Sequence, residues 1–159
     1  MKIIIDGDAS PGISIIEKIA ESYKIPVIIF CDIHHFIQSD YSMVRIVDSG
    51  FQSVDMYVAN ETKANDIVIS QDYGVAAICL SKKAAVMNTK GYIYNNDNIE
   101  RLLEERHIYQ KIRKGGGRTA NPKKRTSEDD DRLKKNLIYL IQKLIWSCTA
   151  SFFMFKNLK

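Results

Sequence analysis

The architecture can be inferred first from residues 2–8, Lys2-Ile3-Ile4-Ile5-Asp6-Gly7-Asp8. Its uninterrupted apolar run, Lys2 to Ile5, predicts a short β-strand buried on both faces of a sheet. The acidic turn ends this strand, and Ser10 and Pro11 then predict the N-cap and the first residue of a helix. A buried strand followed at once by a helix indicates βαβ units, with parallel strands covered by helices.

The same pattern recurs along the first two-thirds of the chain. Further strands are predicted at Val27 to Cys31, Met43 to Val47, Ile67 to Ser70 and Ala85 to Met87, with Tyr92 to Tyr94 as an added edge strand. Helices are predicted at Ser53 to Glu61, Gly74 to Lys82 and Asn98 to Ile112, and after Ser127, which with Asp130 resembles a capping box. This alternation predicts the α/β class with a mainly parallel central sheet.

Size and composition indicate one globular domain. The chain has 159 residues, 45% hydrophobic and 26% charged, which excludes a mostly disordered protein. Three scattered cysteines (Cys31, Cys79 and Cys148) exclude a disulfide framework and favour a reducing, cytoplasmic setting. The apolar stretch from Leu144 to Phe155 is shorter than the roughly 20 residues of a membrane span. We expect a domain over 1–146 and a hydrophobic tail over 147–159 that would suit a homodimer.

Aspartates lie where the predicted strands end. They are Asp6 and Asp8 after the first strand, Asp32 after the second, Asp48 after the third with Asp55 close behind, and Asp72 after the fourth. Because ligands of parallel sheets bind beyond the carboxyl ends of the strands, we expect one acidic cleft. Mutual repulsion favours a bound cation there, and oxygen ligands suit Mg²⁺ or Mn²⁺. Taken singly, each aspartate suits a turn or helix cap equally well.

A basic segment follows the acids. Residues 106–125 contain eight Lys or Arg and no Asp or Glu, whereas the net charge of the whole chain is only +4. Its Gly115-Gly116-Gly117 triplet predicts a flexible loop over 113–126. The residues that could contact a phosphate backbone are Lys111, Arg113, Lys114, Arg118, Lys123, Lys124 and Arg125. A solvated loop explains these charges equally well.

Several blocks together resemble the YaiI/YqxD family of bacterial PIN-like proteins. The blocks are Asp6 to Pro11, Val47 to Phe51 with Asp55, Asp66 to Asp72 with Ala76-Ala77, Lys90-Gly91 with Tyr94 and Asp97 to Ile99, and Ile112-Arg113 with Thr119, Pro122 and Asp131-Arg132. They occur in family order over residues 1 to 146. Departures from the family pattern are Ser10 for a Cys, Gln52 for an Asp, Gly74 for a Pro and Ala120-Asn121 for a Gly pair.

The resemblance implies a three-layer α/β/α PIN-like sandwich. PIN-like folds commonly bind Mg²⁺ or Mn²⁺ through aspartates and cleave RNA, and the matching candidates here are Asp6, Asp8 and Asp72 as catalytic residues. The implied metal ligands are Asp6, Asp8, Asp48, Asp55 and Asp72. Ser70 and Gln71 better suit strand-end turns than water or phosphate orientation, and Asn98 better suits a helix cap than phosphate contact.

Three functional classes remain open from the sequence. The first is a metal-dependent nuclease that acts on RNA or single-stranded nucleic acid through the aspartates. The second is a haloacid-dehalogenase-like phosphatase, because Asp6-x-Asp8 after a first strand and Ser70 after a later one would suit an aspartyl nucleophile. The third is a non-catalytic nucleic-acid-binding or protein-binding module, which Gln52 and the enlarged basic loop would allow.

Overall fold

The computed structural model describes residues 1–7, 11–48, 53–118 and 124–156, with side chains up to residue 147. Within these ranges, one six-stranded sheet has the strand order β3-β2-β1-β4-β5-β6. The strands are β1 (Ile3–Asp6), β2 (Val27–Asp32), β3 (Met43–Val47), β4 (Ile67–Ile69), β5 (Ala85–Met87) and β6 (Ile93–Tyr94). The first five are parallel, and β6 is antiparallel to β5.

Helices cover both faces of the sheet, which confirms the predicted three-layer α/β/α architecture. They are α1 (Ile13–Ser22), α2 (Val54–Glu61), α3 (Tyr73–Ser81), α4 (Asn96–Lys114) and α5 (Ser127–Lys156). Alternate residues of β1 point to opposite layers: Ile3 and Ile5 pack with α1 and α5, and Ile4 packs with α2, α3 and α4. This central strand is therefore apolar on both sides, as its sequence predicts.

The start of α1 differs from the prediction. The helix begins at Ile13, two residues after Pro11, and its N-cap is Gly12 in the left-handed conformation with φ of 97°. Glycine adopts positive φ readily because it has no Cβ. A Cβ at Gly12 would also lie 2.6 Å from Nη2 of Arg125. Ser10, the predicted cap, lies outside the described residues.

The start of α5 is capped one residue earlier than predicted. The Thr126 amide donates to Oδ2 of Asp129 (3.1 Å), and the Asp129 amide donates to Oγ1 of Thr126 (3.4 Å). This reciprocal pair is the capping box, so the predicted pair Ser127 and Asp130 is wrong. The helix α4 begins two residues earlier than predicted, and its N-cap is Asn95 rather than Asn98. Asn98 is the capping-box partner of Asn95 at the third helical position.

The turn between β5 and β6 packs closely against the beginning of α5. The side-chain amide of Asn136 donates to the Gly91 carbonyl (2.7 Å), and Nε of Arg132 donates to the Lys90 carbonyl (2.9 Å). The Arg132 guanidinium also lies over the Tyr92 ring, 4.1 Å from its centre. These contacts fix α5 on the sheet through the turn as well as through the core.

The last helix continues beyond the predicted domain end at residue 146 and reaches Lys156. Its buried hydrophobic residues are Leu133, Leu137, Leu140 and Ile141, whereas Trp146 is 76% exposed. Within the described ranges, no helix combines the length and the apolar character that crossing a bilayer requires.

Candidate functional site

The centre of the sheet brings the first and fourth strands side by side. β1 lies between β2 and β4, and from β1 the chain order runs in opposite directions along the sheet. Such a switch point leaves a crevice beyond the carboxyl ends of the strands, where ligands of α/β sheets bind. Asp6 ends β1, and Ser70 follows β4. These two residues, distant in the chain, therefore meet at the place where the fold favours a ligand.

A chain of hydrogen bonds joins these two strand ends to α3 and α4. Ser70 is fully buried, and its hydroxyl donates to Oδ2 of Asp6 at 3.0 Å, while Asp6 is 8% exposed. The backbone amide of Asp72 donates to the same Ser70 oxygen, also at 3.0 Å. Nη1 of Arg106 then donates to Oδ2 of Asp72 at 2.7 Å. We call these four residues the Asp6–Arg106 chain.

Asp72 has a structural role as well as a place in this chain. Its Oδ1 accepts hydrogen bonds from the backbone amides of Gly74 (2.7 Å) and Val75 (3.1 Å), so Asp72 is the N-cap of α3. A carboxylate at this position satisfies free amides and interacts favourably with the helix dipole. Of its two oxygens, one is thus committed to the helix, and the other faces Arg106.

The pKa of Asp72 lies below its ordinary value. Burial would raise the pKa, but the hydrogen bonds from Arg106 and from the amides of Val75 and Gly74, together with the charge of Arg106, outweigh that effect. Asp72 is therefore ionised at neutral pH. Because the pKa of Asp72 is lower in the folded state than in the unfolded state, ionised Asp72 stabilises the fold at pH values above the unfolded pKa. This stabilisation is lost as the pH falls through the folded pKa.

We expect a double-mutant cycle on Asp72→Asn and Arg106→Ala to give a coupling of about 0.5–1 kcal/mol at neutral pH and low salt. Arg106 is 52% exposed, so solvent screening keeps the value small. Asn is also an efficient N-cap, so the change mainly removes charge. The coupling should vanish in urea unfolding as the pH falls through the lowered pKa of Asp72. A coupling that persists in acid would contradict an ionic origin.

The other predicted acidic residues occupy different positions. Asp8 lies outside the described residues. Asp48 is exposed just after β3, and Asp55 lies in the first turn of α2. Because β2 separates β3 from β1, the ends of these strands are roughly 10 Å apart. Within the described ranges, no three Asp, Glu, His or Cys side chains are arranged as a metal-binding group.

The Asp6–Arg106 chain nevertheless contains oxygen atoms of the type that bind a hard divalent cation. Mg²⁺ prefers oxygen ligands and is usually bound by one or two carboxylates together with waters and substrate phosphates. Asp6 and Asp72 supply two carboxylates, and Ser70 supplies a hydroxyl that holds Asp6 in place. Arg106 already provides positive charge to Asp72, so a cation there would share this carboxylate with a guanidinium.

The predicted phosphate-binding residues divide into two groups. Lys111, Arg113, Lys114, Arg118 and Lys124 are exposed at the end of α4 and in the segments beyond it, and Lys123 lies outside the described residues. Arg125 is instead tucked against the domain. Its Nε donates to Asp130 at 2.6 Å and its Nη1 to the Thr89 carbonyl at 2.5 Å. Within the described ranges, its buried Nη2 has no hydrogen-bond partner.

Two site residues were not predicted from the sequence. Arg106 contacts Asp72 from α4, 34 residues away, and no local pattern marks it among the other cations. Thr89 follows β5 and is buried, and its hydroxyl oxygen is 3.0 Å from Nε2 of Gln71. The position of Thr89 after a parallel strand was the signal that could have found it. Gln71, for which a turn was favoured, thus links the carboxyl ends of β4 and β5.

Comparison with known proteins gives consistent matches over most of the chain. The family model described as "Uncharacterized BCR, YaiI/YqxD family" matches residues 4–143. A UPF0178 protein of Clostridium novyi is 58% identical over 143 residues, which covers 90% of this chain and 96% of the relative. One from Clostridium kluyveri is 60% identical (89% and 93% covered), and one from Clostridium acetobutylicum is 43% identical (90% and 98%). No solved structure matches the chain significantly.

Proposed function

The chain belongs to the YaiI/YqxD family, and on that premise we propose that it is a divalent-cation-dependent nuclease acting on RNA or single-stranded nucleic acid. The observation that supports this most is the hydrogen bond between Ser70 and Asp6, which joins two strand ends at the switch point of the sheet. The backbone amide of Asp72 donates a hydrogen bond to the same Ser70 hydroxyl. A buried carboxylate and a half-buried one at the carboxyl end of the sheet suit charge-stabilising chemistry.

In this proposal Asp6 and Asp72 hold a Mg²⁺ or Mn²⁺ ion, and Asp8 joins them on the basis of the sequence alone. When bound, such an ion supplies an activated water and stabilises the leaving oxygen of a phosphodiester. Asp48 and Asp55 contribute as further ligands or as groups that orient the ligands. The protein's own residues hold the Asp6 carboxylate in place and keep Asp72 ionised.

The neighbouring residues then have distinct roles. The Ser70 hydroxyl fixes the Asp6 carboxylate, because a fully buried donor has little freedom to leave its acceptor. Arg106 keeps Asp72 ionised in the apo state and, being 52% exposed, can turn toward a substrate phosphate. The exposed cations at the end of α4 extend this positive surface along a nucleic-acid backbone.

A second candidate is a non-catalytic nucleic-acid-binding module. Two observations favour it: the existing ion pair between Arg106 and Asp72, and the absence of a three-residue metal group within the described ranges. A protein that neutralises its own carboxylate gains less from a cation than one with unpaired acids. In that case the exposed basic residues alone would bind the nucleic acid, through its phosphates.

One set of assays on the unmodified (parent) protein distinguishes these functions. We expect cleavage of a labelled single-stranded RNA with Mn²⁺ or Mg²⁺ and none with EDTA, because the proposed chemistry needs the ion. Salt-sensitive RNA binding without cleavage in any divalent ion would select the binding module. Release of phosphate from small phosphate esters, with no cut in RNA, would select the phosphatase. A heat-inactivated sample and a labelled duplex are the controls.

A further inference from the structure

A cavity of about 340 Å³ lies beside the Asp6–Arg106 chain, between α3, α4 and the β5–β6 turn. It is within the range of small-molecule sites, about 300–1,000 Å³. The residues around it are Tyr73, Asn88, Tyr92, Ile93, Tyr94, Asn98, Arg101 and Leu102. We call it the tyrosine cavity. Three aromatic rings in so small a volume indicate a flat, partly apolar ligand.

The rings form walls in fixed orientations. Tyr73 and Tyr94 meet edge to face, with ring centres 5.8 Å apart and planes at 82°. Tyr94 is almost completely buried, whereas Tyr92 is 53% exposed and is held by the guanidinium of Arg132. Perpendicular rings present both a face and an edge to a planar guest, and fixed rings lose little freedom when the guest stacks.

Two polar side chains at the cavity, Asn98 and Arg101, carry N–H donors beyond those used in their hydrogen bonds within the fold. The Asn98 amide nitrogen carries two N–H groups, of which the bond to the Ile93 carbonyl uses one. Arg101 carries five N–H donors, and its contact with Glu105 at 3.2 Å uses only Nη1. Burial, followed by the nearby Tyr73, raises the pKa of Tyr94 above its ordinary value, so Tyr94 remains a neutral hydroxyl. Such walls suit a ligand with acceptors along one edge.

The cavity adjoins the Asp6–Arg106 chain through two connections. Tyr73 is the residue directly after Asp72, so the ring and the carboxylate leave the same strand-to-helix junction. Leu102 and Arg106 are four residues apart in α4 and therefore lie on the same face of that helix. A nucleotide with its base in the cavity would thus have its sugar and phosphate near Arg106 and Asp72.

We propose that the tyrosine cavity is a nucleobase subsite, with a preference for guanine. The inference rests on the proposed nuclease function, because the cavity would bind the base that adjoins the scissile phosphate. Aromatic stacking is how proteins bind unpaired bases of single strands. Guanine presents two acceptors, O6 and N7, on one edge, whereas adenine presents N7 and a donor. The donors of Arg101 and Asn98 match the guanine pattern.

Titration of the parent protein with nucleotides in EDTA tests the proposal without requiring cleavage. By calorimetry or amide NMR shifts, we expect GMP to bind at least about 10-fold more tightly than ribose 5-phosphate, since stacking is lost without the base. We also expect GMP to bind about 5-fold more tightly than AMP. Equal binding of all three ligands would overturn the subsite, whatever the outcome of the cleavage assay.

Three variants locate the binding. Tyr73→Leu should reduce GMP affinity at least about 5-fold, because it removes a stacking ring. Arg101→Ala, at a 68% exposed side chain, should stay folded and abolish the preference of GMP over AMP. Tyr139→Leu is the matched control, since Tyr139 is 52% exposed on α5 and does not line this cavity. Unchanged GMP binding by both Tyr73→Leu and Arg101→Ala would refute the assignment. GMP binding by a protein that cleaves nothing would refute only the nuclease function.

Discussion

The Asp6→Asn protein is expected to lose at least about 100-fold of its Mn²⁺-dependent RNA cleavage. Changes to groups that merely orient a metal ligand already cost about 10–100-fold in metal affinity or activity. Asp6 is proposed as a ligand itself, so its loss should reach or exceed the upper end of that range. Asn keeps the shape and can still accept the hydrogen bond of Ser70, so the variant mainly removes a charge.

The effect of Asp6→Asn must be separated from misfolding and from a general loss of negative charge. Thermal unfolding should remain close to that of the parent, because the buried core of β1 is untouched. Asp40→Asn is the matched control, since Asp40 is exposed in the loop before β3. Asp8→Asn should resemble Asp6→Asn. A fully active Asp6→Asn protein would end the proposal that this carboxylate binds the ion.

The second large effect is on stability and concerns Gly91 in the β5–β6 turn. Gly91 has a φ of 85°, and an added Cβ would lie 2.5 Å from the backbone nitrogen of Leu133. The left-handed conformation costs about 1–2 kcal/mol for a residue with a Cβ, and overpacking against a rigid backbone costs about 1–3 kcal/mol more. We therefore expect Gly91→Ala to lower the free energy of unfolding by about 3 kcal/mol and the Tm by roughly 6–12 °C.

Gly116→Ala separates the two causes of this loss. Gly116 has nearly the same φ, 81°, but within the described ranges nothing lies within 4 Å of an added Cβ. This variant should lose only the conformational part, about 1 kcal/mol. Urea unfolding measures both variants. Similar losses in the two proteins would show that close contact between the turn and α5 adds little to stability.

Local sequence signals predicted the strands well. The apolar runs of β1 and β2 are bounded by Asp6 and Asp32, so both their extent and their burial can be recognised within a few residues. Hydrophobic burial on both faces needs no information about which strand is the neighbour. For the same reason, the sequence correctly predicted that Asp6 and Asp32 lie at strand ends.

The cap of α5 shows where local information is insufficient. Thr126 with Asp129 and Ser127 with Asp130 are two capping boxes in adjacent registers, and both satisfy the same pattern. In the fold, Asp129 also contacts Arg132 and lies 3.7 Å from Nζ of Lys90, while Asp130 pairs with Arg125. These tertiary contacts select Thr126 as the cap, and a window of a few residues does not contain Lys90.

The α/β class, the order of the elements and the position of Asp6 and Asp32 at strand ends follow from the sequence alone. The sequence does not show that Ser70 bonds to Asp6, that Arg106 pairs with Asp72 or that three tyrosines line a cavity beside them; these contacts depend on the folded arrangement. The cause of this difference is how far apart the contacting residues lie along the sequence. Strand formation and capping depend on neighbours a few residues apart, whereas these contacts join residues 64 and 34 positions apart. Such contacts exist only once β1 pairs with β4 and α4 packs on α3.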